Sequence, residues 1–416
     1  MVEDKVSELT VEPPVWLTQT KLIPPRLRDD YLPRPRLLAL LAQVIPAHSL
    51  TLISAPAGYG KTTLLAGLPS TCPELPLAWL ALGEEDNDFS HFCLGIIAAL
   101  QRLAPALGSQ TQALLLTPNG QNGGSNPVEQ ARRVMGALIN NILAALPEPF
   151  ILVLDDLHFI TETVIYAALD YLLERLPPAL HLVIASRYDP PLSLARLKAR
   201  GQMAELRLAD LRFTGEEAAA FLNDRLQLAL TPAELDSLQA RTEGWAAGLR
   251  LLAGSLIRMN QPGDRAAFID RLARTDRYLF DFLAEEVLQR QEPVLRAFLL
   301  ETSILAEFTP ALCWAVTRRE DAAALLEKLY HRNLFLVVVD ELLTPVYRYH
   351  ALFAEFLQQQ LSREAPARRA ELHRRAAQAL TNPRQIISHY LAAGDRADGL
   401  GRRQRFLLRL LRPELH

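Results

Sequence analysis

The sequence predicts an α/β domain built on a doubly wound parallel sheet, followed by an α-helical domain and a winged-helix domain. Three observations predict it. Up to Leu211, short apolar runs alternate with helical stretches, which is the pattern of a parallel sheet covered on both faces. One apolar run opens into the glycine-containing loop Ala55-Pro56-Ala57-Gly58-Tyr59-Gly60-Lys61-Thr62 just ahead of a helix. Beyond Leu211 the pattern is helical until two strand-like runs, 334–339 and 346–349, which form a small hairpin among helices.

Residues 1–30 are Pro-rich and aperiodic and are expected to pack as an extended arm, followed by a helix at 36–43. The strand 49–54 leads into the loop and a helix from Lys61 through Gly67. A second strand, 77–82, ends in the acidic turn Glu84-Glu85-Asp86-Asn87-Asp88, which caps a helix starting near Phe89. The polar, Gly-rich stretch 117–126 predicts a flexible loop, and a helix follows over 128–146. The third strand is 150–154, ending in Asp155-Asp156; a helix covers 162–175. The fourth strand, 181–185, ends in Ser186-Arg187, and 205–208 is a short fifth strand. Thr214-Gly215-Glu216-Glu217 opens a helix to 226 with a capping box. Further helices are expected at 231–241, 245–259, 264–290, 293–302 and 320–332. The hairpin turns through 340–345, and helices follow from Ala351, at 365–380 and at 384–393. The domains are therefore set at 1–30 (arm), 31–211 (α/β), 212–292 (small helical), 293–362 (winged helix) and 363–416, the start of a helical array.

Composition narrows the function. The 416 residues carry 44 Lys and Arg against 47 Asp and Glu, so no global basic field favours nucleic acid. The three cysteines, Cys72, Cys93 and Cys313, have no zinc or disulfide spacing and fit a reducing cytoplasm. No apolar run is long enough to span a membrane. The stretch from Gly399 onward carries Arg402, Arg403, Arg405, Arg409 and Arg412 among leucines. An amphipathic basic helix is one reading; the abrupt shift in composition fits the end of a truncated chain better.

The loop carries the chemistry. Strand, glycine loop and helix in succession are the signature of the P-loop NTPase fold, in which backbone N–H groups wrap a phosphate. Ala57, Gly58, Tyr59, Gly60, Lys61, Thr62 and Thr63 are the candidate nucleotide contacts. Lys61 would reach the β- and γ-phosphates, and Thr62 would ligate Mg²⁺. The usual opening Gly is Ala55 here, acceptable if that position needs no positive φ. About 95 residues on, Asp155 stands at the carboxyl end of a central strand, where doubly wound sheets bind ligands. Asp155 would hold Mg²⁺ through water, Asp156 would orient or deprotonate the attacking water, and Arg187 would sense the γ-phosphate. His158 is expected to pack its loop, and Arg34 or Arg36 to line an adenine pocket or lie at the surface. An Asn-Lys-x-Asp guanine motif and a Leu-Ser-Gly-Gly-Gln transporter signature are both absent from the sequence.

With these parts in order, the chain resembles the MalT-like branch of the STAND ATPases, signal-transduction ATPases often joined to a LuxR-type helix-turn-helix. Thr20-Lys21-Leu22-Ile23-Pro24-Pro25 resembles that family's arm, and 54–63 its phosphate loop. Leu154-Asp155-Asp156-Leu157-His158 resembles its acidic strand end, and Ala185-Ser186-Arg187 its sensor arginine. Glu243-Gly244-Trp245-Ala246-Ala247-Gly248-Leu249 resembles the Gly-Trp helix, and Arg348-Tyr349-His350-Ala351-Leu352-Phe353 the winged-helix segment. The resemblance covers about residues 16–395. It implies three domains folded over ADP, with His350 on the β-phosphate in the resting state. It also implies ATP exchange on induction, self-association in the ATP form and slow hydrolysis. The inducer would act through a C-terminal solenoid that is cut off here, and a DNA-binding helix-turn-helix is not evident. Two further readings stay open: a constitutive AAA+-type motor, and a degraded nucleotide-binding interaction module.

Overall fold

The computed structural model describes residues 17–116, 126–257, 277–340 and 344–395. The chain divides into two compact units, Met1–Ala55 with Gly60–Leu211, and Pro56–Tyr59 with Arg212–His416. The tip of the glycine loop thus packs with the second unit, although the flanking strand and helix belong to the first.

The first unit is a doubly wound P-loop NTPase fold. Its five strands are β1 (Leu50–Ser54), β2 (Leu77–Ala81), β3 (Phe150–Asp155), β4 (Leu180–Ser186) and β5 (Met203–Leu206). They lie in the order β2-β3-β4-β1-β5, and all the pairings are parallel. Every residue of β1 and β3 is buried, and apart from Thr51, Ser54 and Asp155 these strands are apolar, without an alternating pattern. Ser54 pairs with Ser186, and Ala81 with Asp155, so the strands end together at one edge. Helices Phe89–Gln101, Pro127–Ala145 and Thr163–Glu174 supply much of the core over the sheet. The acidic turn caps as its sequence predicts: Asp88 Oδ1 accepts from the Ser90 and His91 amides. Thr117–Asn126, expected as a loop, lies outside the described residues except for Asn126, which caps the next helix. The arm is described from Leu17. Leu17 and Leu22 sink into the core, and Lys21 bonds the fully buried Asp86 and, at 2.8 Å, Glu85.

β5 lies two residues earlier than expected. The Asp210 carboxylate accepts from the Arg207 amide at 2.7 Å and starts the helical turn Leu208–Leu211, which ends the strand before Leu208 can join it. Ser109–Leu116 is a further helix, without a counterpart among the predicted elements.

In the second unit, Thr214 and Glu217 form the expected capping box, but the helix changes to π geometry over Ala220–Arg225. Helices Pro232–Thr242 and Ala246–Ile257 follow, and then, after the residues not described, Arg277–Leu283. Helices Pro293–Thr302, Pro310–Thr317 and Ala322–His331 precede an antiparallel hairpin of β6 (Leu336–Asp340) and β7 (Val346–Tyr349). Phe308 and Tyr347 exchange both backbone hydrogen bonds, which adds a third extended segment to this wing. The Pro310–Thr317 helix was not anticipated, although Thr309-Pro310 is a capping signal and Thr309 Oγ1 does accept from the Leu312 amide. Helices Ala351–Glu364, Pro366–Ala379 and Pro383–Ala392 complete the unit. The basic stretch from Gly399 lies outside the described residues. All three cysteines are buried as free thiols.

Candidate nucleotide-binding site

In the first unit the candidate residues gather at the carboxyl edge of the sheet. Gly60 has φ +78° and caps the Lys61–Ala66 helix; Gly58 has φ +81°. Ala55 is not among the residues with positive φ, so an alanine is tolerated where the pattern usually opens with glycine. Lys61 is 6% exposed and its Nζ donates to the Ala55 carbonyl at 2.8 Å. The Thr62 hydroxyl donates to Asp155, which is 2% exposed.

The charges are costly where they sit. Burial, then repulsion from Asp156, pushes the Asp155 carboxyl up to about 7, against the Thr62 hydrogen bond and the charge of Lys61. Burial pulls Lys61 down to about 8; the charge of Asp156 opposes this and that of Arg187 adds to it. Asp156 has φ +59°, a strained value for a non-glycine residue, and its amide donates to Asp155 Oδ1 at 3.0 Å. Asp and Asn tolerate this region better than most residues. A buried cation, a buried carboxylate with a hydroxyl, and a strained acidic neighbour form a donor set suited to a phosphate with its divalent ion. Thr62 and Asp155 are the residues that would hold that ion. Among the described residues no cluster of three or more His, Cys, Asp or Glu forms a metal site from protein groups alone.

Other expectations are placed as follows. The His158 side chain is almost wholly buried, with its Nδ1 3.6 Å from Asp156 Oδ1 and its ring against Phe159 and Tyr188. Arg34 donates to the Leu211 carbonyl and Arg36 to that of Asp210, so both clasp the end of the α/β domain. Thr63 follows Thr62 on the helix, and Arg187 follows directly after β4.

The second unit holds the remaining candidates. His350 is 1% exposed; its Nε2 donates to the Thr242 carbonyl at 2.8 Å, and its Nδ1 is buried without a hydrogen-bond partner. Burial lowers its pKa, against the charge of Glu243. Glu243, at φ +47°, takes both ends of the Arg348 guanidinium at 2.8 and 2.9 Å and the Ala351 amide at 3.1 Å. Burial would raise its carboxyl, but the Arg348 hydrogen bond, the charge of His350 and the Ala351 amide pull it down to about 2. An open cleft of about 530 Å³ beside this pair is lined by Arg212, Phe213, Gln239, Ala240, Glu243 and Arg348. Ala57 and Gly58 are held by this unit: Trp245 Nε1 donates to the Ala57 carbonyl at 3.0 Å, and the Ala247 amide to that of Gly58 at 2.9 Å. Tyr59 is 1% exposed, its ring 6.2 Å from Phe335. The Glu243–Arg348 pair escaped the sequence reading because its members lie 105 residues apart. In the structure Glu243 and Gly244 both have positive φ, and Gly244 is the one local sign of that turn in the sequence.

Residues 284–369 match the MalT winged helix domain. The chain is 35% identical over 381 residues to the HTH-type transcriptional regulator MalT of Yersinia enterocolitica, an alignment covering 89% of this chain and 40% of that protein. It is 34% identical over 386 residues to MalT of Yersinia pestis, covering 91% of this chain and 41% of that protein. The chain is thus similar to these MalT proteins over most of its own length. It spans about two-fifths of the length of these MalT relatives. Among solved structures, the Walker-type ATPase PABY2304 of Pyrococcus abyssi superposes with a TM-score of 0.50 at 16% identity, covering 80% of this chain and 98% of that one. That likeness is one of fold, and it agrees with the P-loop NTPase architecture of this chain.

The raised Asp155 carboxyl has a definite pH signature. The folded protein holds that proton more tightly than the unfolded chain, so the associated stability is full below about pH 3.8 and lost as pH rises through about 7. Asp155→Asn removes the buried charge. In nucleotide-stripped protein its melting temperature relative to the parent should therefore rise between pH 5 and pH 7.5. A difference that stays flat or falls over that window contradicts the assignment.

Proposed function

We propose that the chain is the nucleotide-operated regulatory ATPase module of a MalT-type transcriptional regulator. In this reading ATP and ADP are read by the P-loop domain and hydrolysis is slow. The observation that carries the reading is the buried Lys61, Thr62 and Asp155 set at the carboxyl edge of the sheet, in a chain with a MalT-type winged helix. Lys61 pairs with the terminal phosphates, and Thr62 and Asp155 hold Mg²⁺. Bound Mg²⁺ supplies charge neutralisation on the phosphate oxygens. Asp156 orients the attacking water and accepts its proton, and Arg187 follows the γ-phosphate. His350 is the resting-state contact to the ADP β-phosphate. Its bare buried Nδ1 supports this role, since it becomes a donor once the ring is protonated beside an anion.

Self-association in the ATP form and response to an inducer, sensed beyond the residues present here, belong to the same proposal. So does a cytoplasmic location. Among the described residues no helix is long and apolar enough to cross a membrane, and the free buried thiols fit a reducing compartment.

Lys61→Ala leaves the phosphate charge without its cation. ATP affinity by calorimetry should fall by at least an order of magnitude; near-parental affinity contradicts the phosphate-loop role. Asp156→Asn keeps volume and tolerates the positive φ. It should preserve ATP binding and slow turnover in a phosphate-release assay, and unchanged turnover removes Asp156 from the hydrolytic step. His350→Ala deletes one hydrogen bond to a charged group, worth about 1.5–3 kcal/mol. ADP retention should weaken by roughly 10- to 150-fold with ATP affinity altered far less. Equal losses for both nucleotides indicate a damaged winged helix instead.

A further inference from the structure

The Gly-Trp segment has a function that packing alone does not require. Trp245 is 0% exposed, with its ring centroid 5.4 Å from Phe335, 5.7 Å from Phe282 and 6.1 Å from His350. A Trp serving only as core could be replaced by any large ring. Here the indole N–H is spent on the Ala57 carbonyl, and the Ala247 amide, in the first turn of the Ala246–Ile257 helix, on the Gly58 carbonyl.

The small residues around this point form a seat of matching shape. A Cβ on Gly58 would lie 2.6 Å from both Trp245 Nε1 and the Ala247 Cβ. A Cβ on Gly248 would lie 2.5 Å from Trp245 Cε3, so that glycine leaves room for the indole ring. Gly244, at φ +72° and with its own Cβ position 2.5 Å from the Phe213 carbonyl, turns the chain into the helix. The spacing Gly244-Trp245-Ala246-Ala247-Gly248 is thus explained position by position as a seat for Ala57-Gly58 and the indole that holds it.

The consequence lies in the peptide planes. Both peptides are trans, so each N–H points opposite to its carbonyl. Anchoring the Ala57 carbonyl fixes the direction of the Gly58 N–H, and anchoring the Gly58 carbonyl fixes that of the Tyr59 N–H. These two amides are turned away from Trp245 and Ala247, to the side where successive loop N–H groups form an anion-binding nest. We propose that the Trp245 indole and the Ala247 amide are positioning groups that pre-orient the Gly58 and Tyr59 amides for a nucleotide diphosphate. The inference rests on the nucleotide-binding reading above and adds a positioning role that the phosphate-loop motif does not contain. It also ties the grip on phosphate to the segment on which His350 packs.

The test uses the whole chain, stripped of nucleotide, and two variants. Trp245→Phe keeps a large ring and deletes one N–H. Trp245→Leu deletes the same N–H with a side chain of different shape, so a loss common to both variants belongs to the hydrogen bond rather than to the ring. Loss of one hydrogen bond predicts ADP affinity lower by about 2- to 12-fold in each. Adenosine, which presents no phosphate to the amides, is measured by competition against a fluorescent ADP analogue. Its affinity should stay at the parental value, as should the melting temperature of the nucleotide-free protein for Trp245→Phe. Unchanged ADP affinity in both variants overturns the proposal, as does an equal loss for ADP and adenosine. A parental protein that binds neither ligand overturns the nucleotide reading itself, an outcome separate from failure of the positioning role.

Discussion

Close approach at Gly58 is the constraint on which the rest depends. No side chain larger than hydrogen fits between that residue and Trp245 with Ala247, and its φ of +81° is itself one that glycine adopts without strain. Residues 56–59 consequently pack as part of the second unit, while β1 and the Lys61–Ala66 helix, covalently joined to them, belong to the first. Trp245 and Ala247 therefore meet the loop backbone at both the Ala57 and the Gly58 carbonyl.

The first unit concentrates unfavourable electrostatics at one place. Lys61 and Asp155 are both nearly inaccessible and both shifted toward their neutral forms, and Asp156 holds a strained backbone beside them. Such a set lowers stability in isolation and is relieved by a ligand that brings opposite charge. In the second unit the balance is reversed. Glu243 has a bidentate arginine and a helix-start amide, and its carboxyl is stabilised as the anion. Glu243 and Arg348 tie together the segments that carry Trp245 and His350, and the Nδ1 of His350 is buried there without a hydrogen-bond partner. For a switch, ADP and ATP move the equilibrium only by the difference in their affinities for its two states. Passing from mostly closed to mostly open takes about 5.5 kcal/mol, a few charged hydrogen bonds.

Much of this was legible from the sequence because the informative features are local. Continuous apolar runs located β1 to β4, since strands buried on both faces show no alternation. The Asp88 cap and the Thr214/Glu217 box were readable from residues two or three apart. Lys61, Thr62, Asp155 and Asp156 could be named as candidates because the motif fixes their neighbours. The failures have equally local or plainly tertiary causes. β5 was misplaced because the Asp210 cap competes with the Leu206–Leu208 alternation. The π stretches at 220–225 and 284–288 follow no periodicity that a helix of ordinary pitch would write into the chain. Arg34 and Arg36 could be placed only by seeing the carbonyls of Leu211 and Asp210 come to them across more than 170 residues. The Trp245 hydrogen bond is hidden in the sequence for the same reason, since its partner Ala57 is 188 residues away.

We propose that this chain is a nucleotide-holding switch. The most direct measurement is the nucleotide released when freshly purified protein is denatured and the supernatant is separated by ion-exchange chromatography. The account predicts ADP at close to one per chain, lost from Lys61→Ala protein prepared in the same way. A parental protein that releases no adenine nucleotide, and gains none after incubation with ADP and Mg²⁺, would contradict it.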